Sequence, residues 1–295
     1  MDTVLGINPV ALFGQLLVGL INGSFYALLS LGLAIIFGLL RIINFAQGAL
    51  YMMGAFFAWL ALEYLGINYW WALVVVPPVV GLIGILIERF LIRPIAHEDH
   101  LYSLLLTFGV ALVLQGVFNH LFGSSGKPYS IPESLQGVTN LGFMYLPIYR
   151  GWIIVVSLVV CFGTWWAIEK TKLGAYLRAG TENARLLQAF GINVPLMVTL
   201  TFGFGVALAG LAGVLAAPIY SVSPDMGANI LIVVFAIVVI GGMGSIGGAI
   251  ITGIAMGVIE GLTKYFYPEA SNTIIFMVMV VVLLIKPAGL FGKEA

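Results

Sequence analysis

The chain has 295 residues, of which 61% are hydrophobic and only 8% are charged, and its mean hydropathy is +1.12. A soluble globular domain is about half apolar and about a quarter charged. A chain of this length cannot bury so much apolar surface and still cover itself with polar groups, so most of it must be solvated by a lipid bilayer. The 12 basic and 12 acidic residues balance, which argues against a nucleic-acid partner. Cys161 is the single cysteine, so the sequence excludes an intrachain disulfide.

Long apolar runs predict the secondary structure, because about 20 such residues cross the bilayer core as a helix. We predict an all-α polytopic membrane protein of about eight or nine transmembrane helices, with residues 1–295 forming one domain. Two places are open to a break: Asn22–Ser24 within the long first span, and Gly241–Ser245, which forms a tight turn or divides a re-entrant pair. The predicted spans are residues 11–39, 44–65, 69–92, 101–122, 151–169, 195–219, 227–241, 247–266 and 272–287.

Polar residues within these spans are candidates for a substrate path. Four uncharged ones lie in or beside the first two spans: Asn22, Ser24, Asn44 and Gln47. They could hydrogen-bond a polar solute weakly, although each one alone fits an interhelical hydrogen bond better. Glu260 and Lys264 are one helical turn apart in the eighth span, and this spacing favours a local ion pair. The span centres hold almost no other charge, which weakens the case for an ion-coupled carrier.

The basic residues indicate the orientation, because cytoplasmic loops carry an excess of Lys and Arg. With the N-terminus outside, Lys127, Arg150 and Lys264 fall on the outer side. Nine others then fall on the cytoplasmic side: Arg41, Arg89, Arg93, Lys170, Lys172, Arg178, Arg185, Lys286 and Lys293. The sequence therefore predicts an external N-terminus and a cytoplasmic C-terminus. The Gly-, Pro- and Ser-rich loop 123–150 is then external, where it caps a pore, contacts a partner or serves as a solvated connector.

The segment 170–194 is predicted to be cytoplasmic and to hold one short amphipathic helix. Thr181 can cap the start of this helix, Glu182 lies in its first turn, and Gly191 is placed to end it. Its apolar residues are Leu186, Leu187 and Phe190. Such a helix either docks on a cytoplasmic partner or lies on the lipid surface.

Glycines spaced four residues apart predict close helix packing, since no hydrophobic force drives helices together in lipid. The longest run is Gly253, Gly257 and Gly261, and a shorter one is Gly19 with Gly23. These runs fit either static association or helices that slide against each other.

Motifs for catalysis and nucleotide binding fail in their context. Gly242–Gly247 fits the pattern GxGxxG, but no βαβ pattern surrounds it, and no acidic residue follows about 20 positions later. Gly126-Lys127 lacks the first glycine and the Ser/Thr of a phosphate-binding loop. His97 and His100 lie in a predicted cytoplasmic loop, where solvated side chains explain them better than a metal site. We therefore expect no enzyme activity, metal or cofactor in this chain, and any ATPase must be another polypeptide.

Short motifs along the chain carry a family resemblance. They are Asn22-Gly-Ser-Phe-Tyr-Ala-Leu, Arg41-Ile-Ile-Asn-Phe-Ala-Gln-Gly, Met53-Gly-Ala, Gly174-Ala-Tyr-Leu-Arg-Ala, Asn183-Ala, Phe190-Gly-Ile, Ala209-Gly-Leu-Ala-Gly, Gly241-Gly-Met-Gly-Ser-Ile-Gly-Gly and Lys286-Pro-Ala-Gly-Leu-Phe-Gly. In this order and spacing, nearly the whole chain resembles the LivH-type permease subunits of branched-chain amino-acid ABC importers.

The resemblance implies the ABC importer permease fold, a place in the bacterial inner membrane, and branched-chain or related amino acids as substrates. It also implies a second homologous permease in a heterodimer, two cytoplasmic subunits that bind ATP, and an external solute-binding protein. The family's coupling helix maps onto residues 181–191, with Thr181, Glu182, Asn183, Arg185, Leu186, Phe190 and Gly191 as coupling residues. A secondary transporter or channel for a small neutral solute, such as urea or an amide, is the alternative.

Overall fold

The computed structural model describes residues 9–40, 42–96, 98–140, 142 and 145–292, without the side chains of residues 39, 40, 100, 181, 182 and 184. Arg41, His97 and Lys293, which the sequence places on the cytoplasmic side, lie outside the described residues. The α-helices are α1 (Pro9–Leu40), α2 (Ala46–Leu65), α3 (Tyr69–Ile87), α4 (His100–Phe122), α5 (Ile148–Lys170), α6 (Lys172–Glu182), α7 (Ala184–Ala189), α8 (Val194–Ala216), α9 (Met226–Gly241), α10 (Ile246–Phe266) and α11 (Ile274–Ile285). A π-helix, Glu88–Ile92, and a 3₁₀ turn, Arg93–Ile95, extend α3.

Among the described residues, seven helices are long and apolar enough to cross a bilayer: α1 to α5, α8 and α10. Helices α9 and α11 are also apolar but have only 16 and 12 residues. Since a helix rises 1.5 Å per residue, α9 is about 24 Å long, less than the bilayer core of about 30 Å. Each predicted span therefore corresponds to a helix, but two of the nine are short. Helix α9 reaches α10 through a tight turn, residues 242–245, in which Gly242 and Gly244 have positive φ angles of 97° and 86°.

Glycines bring α1 and α10 into close contact, and this contact is called the glycine seam. Gly19 and Gly23 of α1 lie against Gly257 and Gly261 of α10. A Cβ atom on Gly253 would lie 2.6 Å from the Cα atom of Ala27, and one on Gly257 would collide with the Gly23 backbone. The backbones of α1 and α10 therefore contact each other directly, with no side chain between them.

The first break in helical structure lies at residues 42–45, between α1 and α2. The interruption considered at Asn22–Ser24 is absent, because α1 continues through it. Phe45 N donates to Thr107 Oγ1 at 3.2 Å, and this hydroxyl donates to the carbonyl oxygen of Ile43 at 3.2 Å. Thr107 is seven residues into α4, about 10 Å from its start. Non-helical backbone at such depth is tolerated only where protein groups satisfy it, and Thr107 does so here.

Between α5 and α8 the chain forms two short helices, α6 and α7, and the prediction of a single helix is wrong. Thr181 lies in the last turn of α6, so it does not cap a helix start, and the side chains of Thr181 and Glu182 are not described. Asn183 is the cap instead, because its Oδ1 accepts from Leu186 N at 2.9 Å. Gly191 follows α7 with a φ of 81°, the left-handed conformation that commonly ends a helix.

Contacts assign the connecting segments to the two ends of the bundle. At one end, residues 34–38, 168–178, 243–248 and 291–292 meet around a cavity, and we call this the basic end. At the opposite end, Lys127 and Val222 exchange backbone hydrogen bonds of 2.8 and 2.9 Å. The chain between α4 and α5 also lies there and contains a short antiparallel hairpin, β1 (Val138–Asn140) and β2 (Tyr145–Pro147).

Replacing Gly257 with alanine should destabilise the bundle by about 1–3 kcal/mol, because the added methyl group forces α1 and α10 apart. The free energy of unfolding in mixed micelles measures this effect. Gly163→Ala is the matched control, since a Cβ atom at Gly163 meets nothing within 4 Å. Equal stability of the two variants would contradict the importance of the glycine seam.

Candidate functional site

A cavity of about 320 Å³ lies among α1, α2, α9 and the segment 217–225, and we call it the central cavity. Among the described residues that line it, none is charged. Its polar lining includes Asn22, Tyr26, Tyr51, Tyr220, Ser223 and Asn229, and its apolar lining includes Phe25, Met226, Ile230 and Val233. A few polar groups among apolar and aromatic side chains are the usual form of a small-molecule site.

Behind the wall of the central cavity lies the carboxylate of Glu260, which is only 6% exposed. Lys264 Nζ is 2.5 Å from Glu260 Oε1, so the predicted ion pair is present. Two groups from α1 also bind this carboxylate: Tyr26 Oη donates at 2.7 Å, and Asn22 Nδ2 donates at 3.4 Å. The carboxylate therefore connects α10 to the cavity-lining face of α1 across the glycine seam.

Tyr220 completes this group from the segment 217–225, where its hydroxyl donates to Asn22 Oδ1 at 3.3 Å. Its ring packs against Phe25, with centroids 6.1 Å apart. Burial raises the pKa of the Tyr220 hydroxyl above its usual value, and the charge of Glu260 raises this pKa further, whereas Arg150 lowers it. Because the net shift is upward, Tyr220 is a neutral hydrogen-bond donor at physiological pH.

Asn44 and Gln47 form a separate buried pair at the start of α2. Asn44 Nδ2 donates to Gln47 Oε1 at 3.3 Å, and Asn44 Oδ1 accepts from Ala46 N at 3.1 Å. Gln47 Nε2 donates to the carbonyl oxygen of Gly205 in α8 at 3.1 Å. Tyr51, which lines the central cavity, lies one turn further along α2. The pair thus fixes the start of the helix that forms one cavity wall.

The four polar residues singled out in the sequence therefore belong to three different groups. Asn22 lines the central cavity, Asn44 and Gln47 bind each other, and Ser24 Oγ donates to the Leu20 carbonyl oxygen of its own helix at 2.8 Å. Sequence reasoning missed the cavity residues Tyr26, Tyr51, Tyr220 and Asn229. Tyr26 lies one turn after Asn22 on the same helix face, and this spacing is the signal that could have found it.

A second cavity, of about 610 Å³, lies at the basic end among α1, α5, α6 and the turn 242–245. Arg178 and Glu169 pair at its edge, 3.5 Å apart. Residues 22–26 of α1 line the central cavity and residues 34–38 line this one, so the two are about 12 Å apart along the same helix. A polytopic helical protein with an open cavity of mixed polar and apolar lining, and a second cavity at one end, belongs to the class of membrane transport proteins.

Comparison with known proteins gives the family. Residues 15–283 match the family described as branched-chain amino acid transport system / permease component, and the chain belongs to it. It is therefore the permease component of an ABC transport system, and its role is transport, not catalysis. This confirms the resemblance carried by the sequence motifs.

Several curated proteins are similar over almost the whole chain. The permease protein LivH of the high-affinity branched-chain amino acid transport system of Escherichia coli K12 is 30% identical over 294 residues, 95% of each chain. The corresponding protein BraD of Pseudomonas aeruginosa is 31% identical over 297 residues, again 95% of each. A probable LivH of Methanocaldococcus jannaschii is 31% identical, covering 93% of this chain and 91% of its own. No solved structure matches the chain significantly.

Replacing Asn44 with alanine should lower the free energy of unfolding by about 1–3 kcal/mol, because buried polar groups at Ala46 N and Gln47 Oε1 lose their partner. Thermal unfolding in detergent measures the change. Asn119→Ala, at an exposed position of α4, is the control and should have little effect. An equally small effect at Asn44 would show that water or lipid headgroups replace the lost bonds.

Proposed function

We propose that this chain forms part of the translocation pathway of an ABC importer for branched-chain or related amino acids, and that the central cavity lies on this pathway. The observation that carries the proposal is the uncharged lining of that cavity. Hydroxyl and amide groups beside apolar side chains suit a zwitterion with an aliphatic side chain and no net charge. Contacts of this kind bind a solute weakly enough to release it, as transport requires.

Within this proposal, Asn22 contacts the solute, and Asn44 and Gln47 support the wall formed by α2. Ser24, whose hydroxyl binds its own helix, has the weakest support as a pathway residue. Gly253, Gly257 and Gly261 hold α10 against α1, so that the glycine seam keeps its shape while other contacts change. Residues 1–295 act as one permease domain.

The importer has further subunits in this proposal: a second homologous permease in a heterodimer, two ATP-binding subunits and a solute-binding protein. In Escherichia coli, LivH and LivM are both named as permease proteins of the high-affinity branched-chain amino acid transport system. This chain is 26% identical to that LivM over 292 residues, 90% of this chain and 67% of LivM. Similarity to both supports a permease pair. ATP binds to the partner subunits, and this chain needs no cofactor of its own.

The charge distribution supports an orientation in the bacterial cytoplasmic membrane. The basic end, which includes Arg178 and the segment after α5, faces the cytoplasm, where Lys and Arg concentrate. The N-terminus is then outside and the C-terminus inside. The segment between α4 and α5 faces outward, where the loaded solute-binding protein docks. Because Lys127 is hydrogen-bonded to Val222, this docking surface is continuous with the segment 217–225 that lines the central cavity.

Exposed apolar side chains at the basic end support the coupling segment 181–191. Leu186 is 57% exposed and Phe190 is 76% exposed, while Leu187 between them is buried. Large apolar side chains at this exposure fit a groove on a partner protein. Gly191 and Asn193 then connect the segment directly to α8, because the Oδ1 atom of Asn193 caps that helix at Leu196 N. A movement of this segment is thus transmitted to α8, which packs in the core of the bundle.

Uptake in proteoliposomes tests the proposed function. The chain reconstituted with its permease partner, ATPase subunits and solute-binding protein should import leucine, isoleucine or valine only when ATP is present on the ATPase side. Vesicles that contain this chain alone are the control and should import nothing. Uptake of urea or an amide by the chain alone, without ATP, would instead support the secondary transporter or channel.

Replacing Leu186 and Phe190 together with alanine should lower uptake at least about tenfold, because each buried apolar anchor at an interface contributes about 1–2 kcal/mol. Co-purification of the ATPase subunits and ATP-driven uptake are the two measurements. Tyr267→Ala, which is also exposed but lies at the opposite end, is the matched control. The assignment of the coupling segment is wrong if subunit association and uptake stay at the level of the control.

A further inference from the structure

Glu260 fixes the direction of the hydrogen bonds around it. Its carboxylate is paired with Lys264 at 2.5 Å and is therefore ionised, and an ionised carboxylate only accepts hydrogen bonds. Tyr26 must therefore donate its single hydroxyl hydrogen to Glu260, at 2.7 Å. The Tyr26 oxygen can therefore only accept further hydrogen bonds, through its lone pairs. Tyr26 lines the central cavity, so it offers an acceptor there.

The ionised carboxylate of Glu260 also fixes the hydrogen-bond directions of Asn22 and Tyr220. Asn22 must turn its NH₂ group toward the carboxylate, so its carbonyl oxygen points away from Glu260. That oxygen accepts from the hydroxyl of Tyr220 at 3.3 Å, so Tyr220 also uses its only hydrogen inside the network. Both tyrosine oxygens at this corner of the central cavity are consequently left as acceptors.

Tyr51 provides a contrast within the same cavity. Its hydroxyl has no hydrogen-bond partner among the described residues, so it is free to donate or accept. The oxygens of Tyr26 and Tyr220 therefore have a fixed preference, and this preference is for a group that donates hydrogen bonds.

From this geometry we infer that the corner formed by Tyr26, Asn22 and Tyr220 binds the ammonium group of the transported amino acid, with Glu260 as the positioning residue that turns both hydroxyls into acceptors. The inference rests on the proposed function and adds which end of the solute this chain recognises. An ammonium group has three N–H donors, which match oxygen acceptors, whereas a carboxylate has none. Phe25, Met226 and Val233 provide the apolar contact for the aliphatic side chain.

Lys264 explains why such a site releases its solute. It neutralises Glu260, so the ammonium group meets oriented hydroxyl dipoles and not an unpaired carboxylate. An unpaired buried carboxylate would bind a cation far more tightly and hold it in the membrane.

Two analogues that each keep one end of leucine test the inference. Isoamylamine keeps the ammonium group and the aliphatic chain, and 4-methylpentanoate keeps the carboxylate and the aliphatic chain. The measurement is the displacement of radiolabelled leucine from the purified importer without its solute-binding protein. The wild-type protein should bind isoamylamine and bind 4-methylpentanoate at least roughly tenfold more weakly, since a hydrogen bond to a charged group contributes about this factor.

Tyr26→Phe should weaken isoamylamine binding roughly tenfold and leave 4-methylpentanoate unchanged, because the hydroxyl that it removes acts toward the cavity only as an acceptor. Tyr64→Phe, at an exposed position of α2 outside the central cavity, is the matched control and should change neither. Glu260→Gln should reduce the preference for the amine, because an amide can donate to Tyr26 and free its hydrogen for the cavity. Glu269→Gln, at an exposed position, is the control for that variant.

The inference is overturned if 4-methylpentanoate binds as well as isoamylamine, if the wild-type protein binds neither, or if Tyr26→Phe behaves like Tyr64→Phe. If Glu260→Gln does not fold, the Tyr26→Phe variant alone tests the inference. This substitution removes one hydroxyl group and keeps the aromatic ring, so the packing is preserved. These binding results are independent of ATP-driven uptake. Failure of leucine uptake by the wild-type importer would refute the proposed function, whereas normal uptake without an amine preference would refute only this inference.

Discussion

The candidate site depends on the close approach of α1 and α10, because lipid supplies no hydrophobic force to hold two apolar helices together. The glycine seam provides that approach, and the polar groups lie directly beside it. Asn22 precedes Gly23 along α1, and Glu260 precedes Gly261 along α10. A side chain within the seam would move these polar groups out of hydrogen-bond range, and the buried carboxylate would lose its two partners on α1. Packing and chemistry are therefore fixed by the same few residues.

The break at residues 42–45 places the second wall of the central cavity. A continuous helix would satisfy its own backbone, but here side chains replace those bonds, with Thr107 and Asn44 binding the freed groups. Gln47 then enters the space beside Gly32, where a Cβ atom would lie 2.7 Å from its Nε2 atom. The missing side chain at Gly32 leaves room for Gln47 to reach the Gly205 carbonyl oxygen of α8. The break thus joins α1, α2 and α8 at one buried point.

The sequence predicts the spans well, because a run of about 20 apolar residues has few alternatives to a membrane helix. It predicts the segment 170–194 less well, since Thr181 and Asn183 are both good caps and only tertiary structure selects Asn183. The ion pair of Glu260 with Lys264 follows from local spacing, whereas its contacts with Asn22 and Tyr26 join positions more than 230 residues apart. The cavity tyrosines were missed for a related reason. In an apolar span, the sequence does not distinguish a tyrosine that lines a cavity from one that packs in the core, because its neighbours are not known.

Helix α8 connects the basic end to these elements. It starts directly after the segment 181–191, and Thr199, near its start, donates to the buried carboxylate of Glu88 at 2.9 Å. Glu88 is also paired with Arg93 through two hydrogen bonds of 3.1 and 3.0 Å, across the π-helical turn that ends α3. Further along, α8 meets α1 at Gly205 and α2 at Gly210. Between Thr199 and Gly210, α8 therefore contacts the end of α3 and both α1 and α2, which line the central cavity.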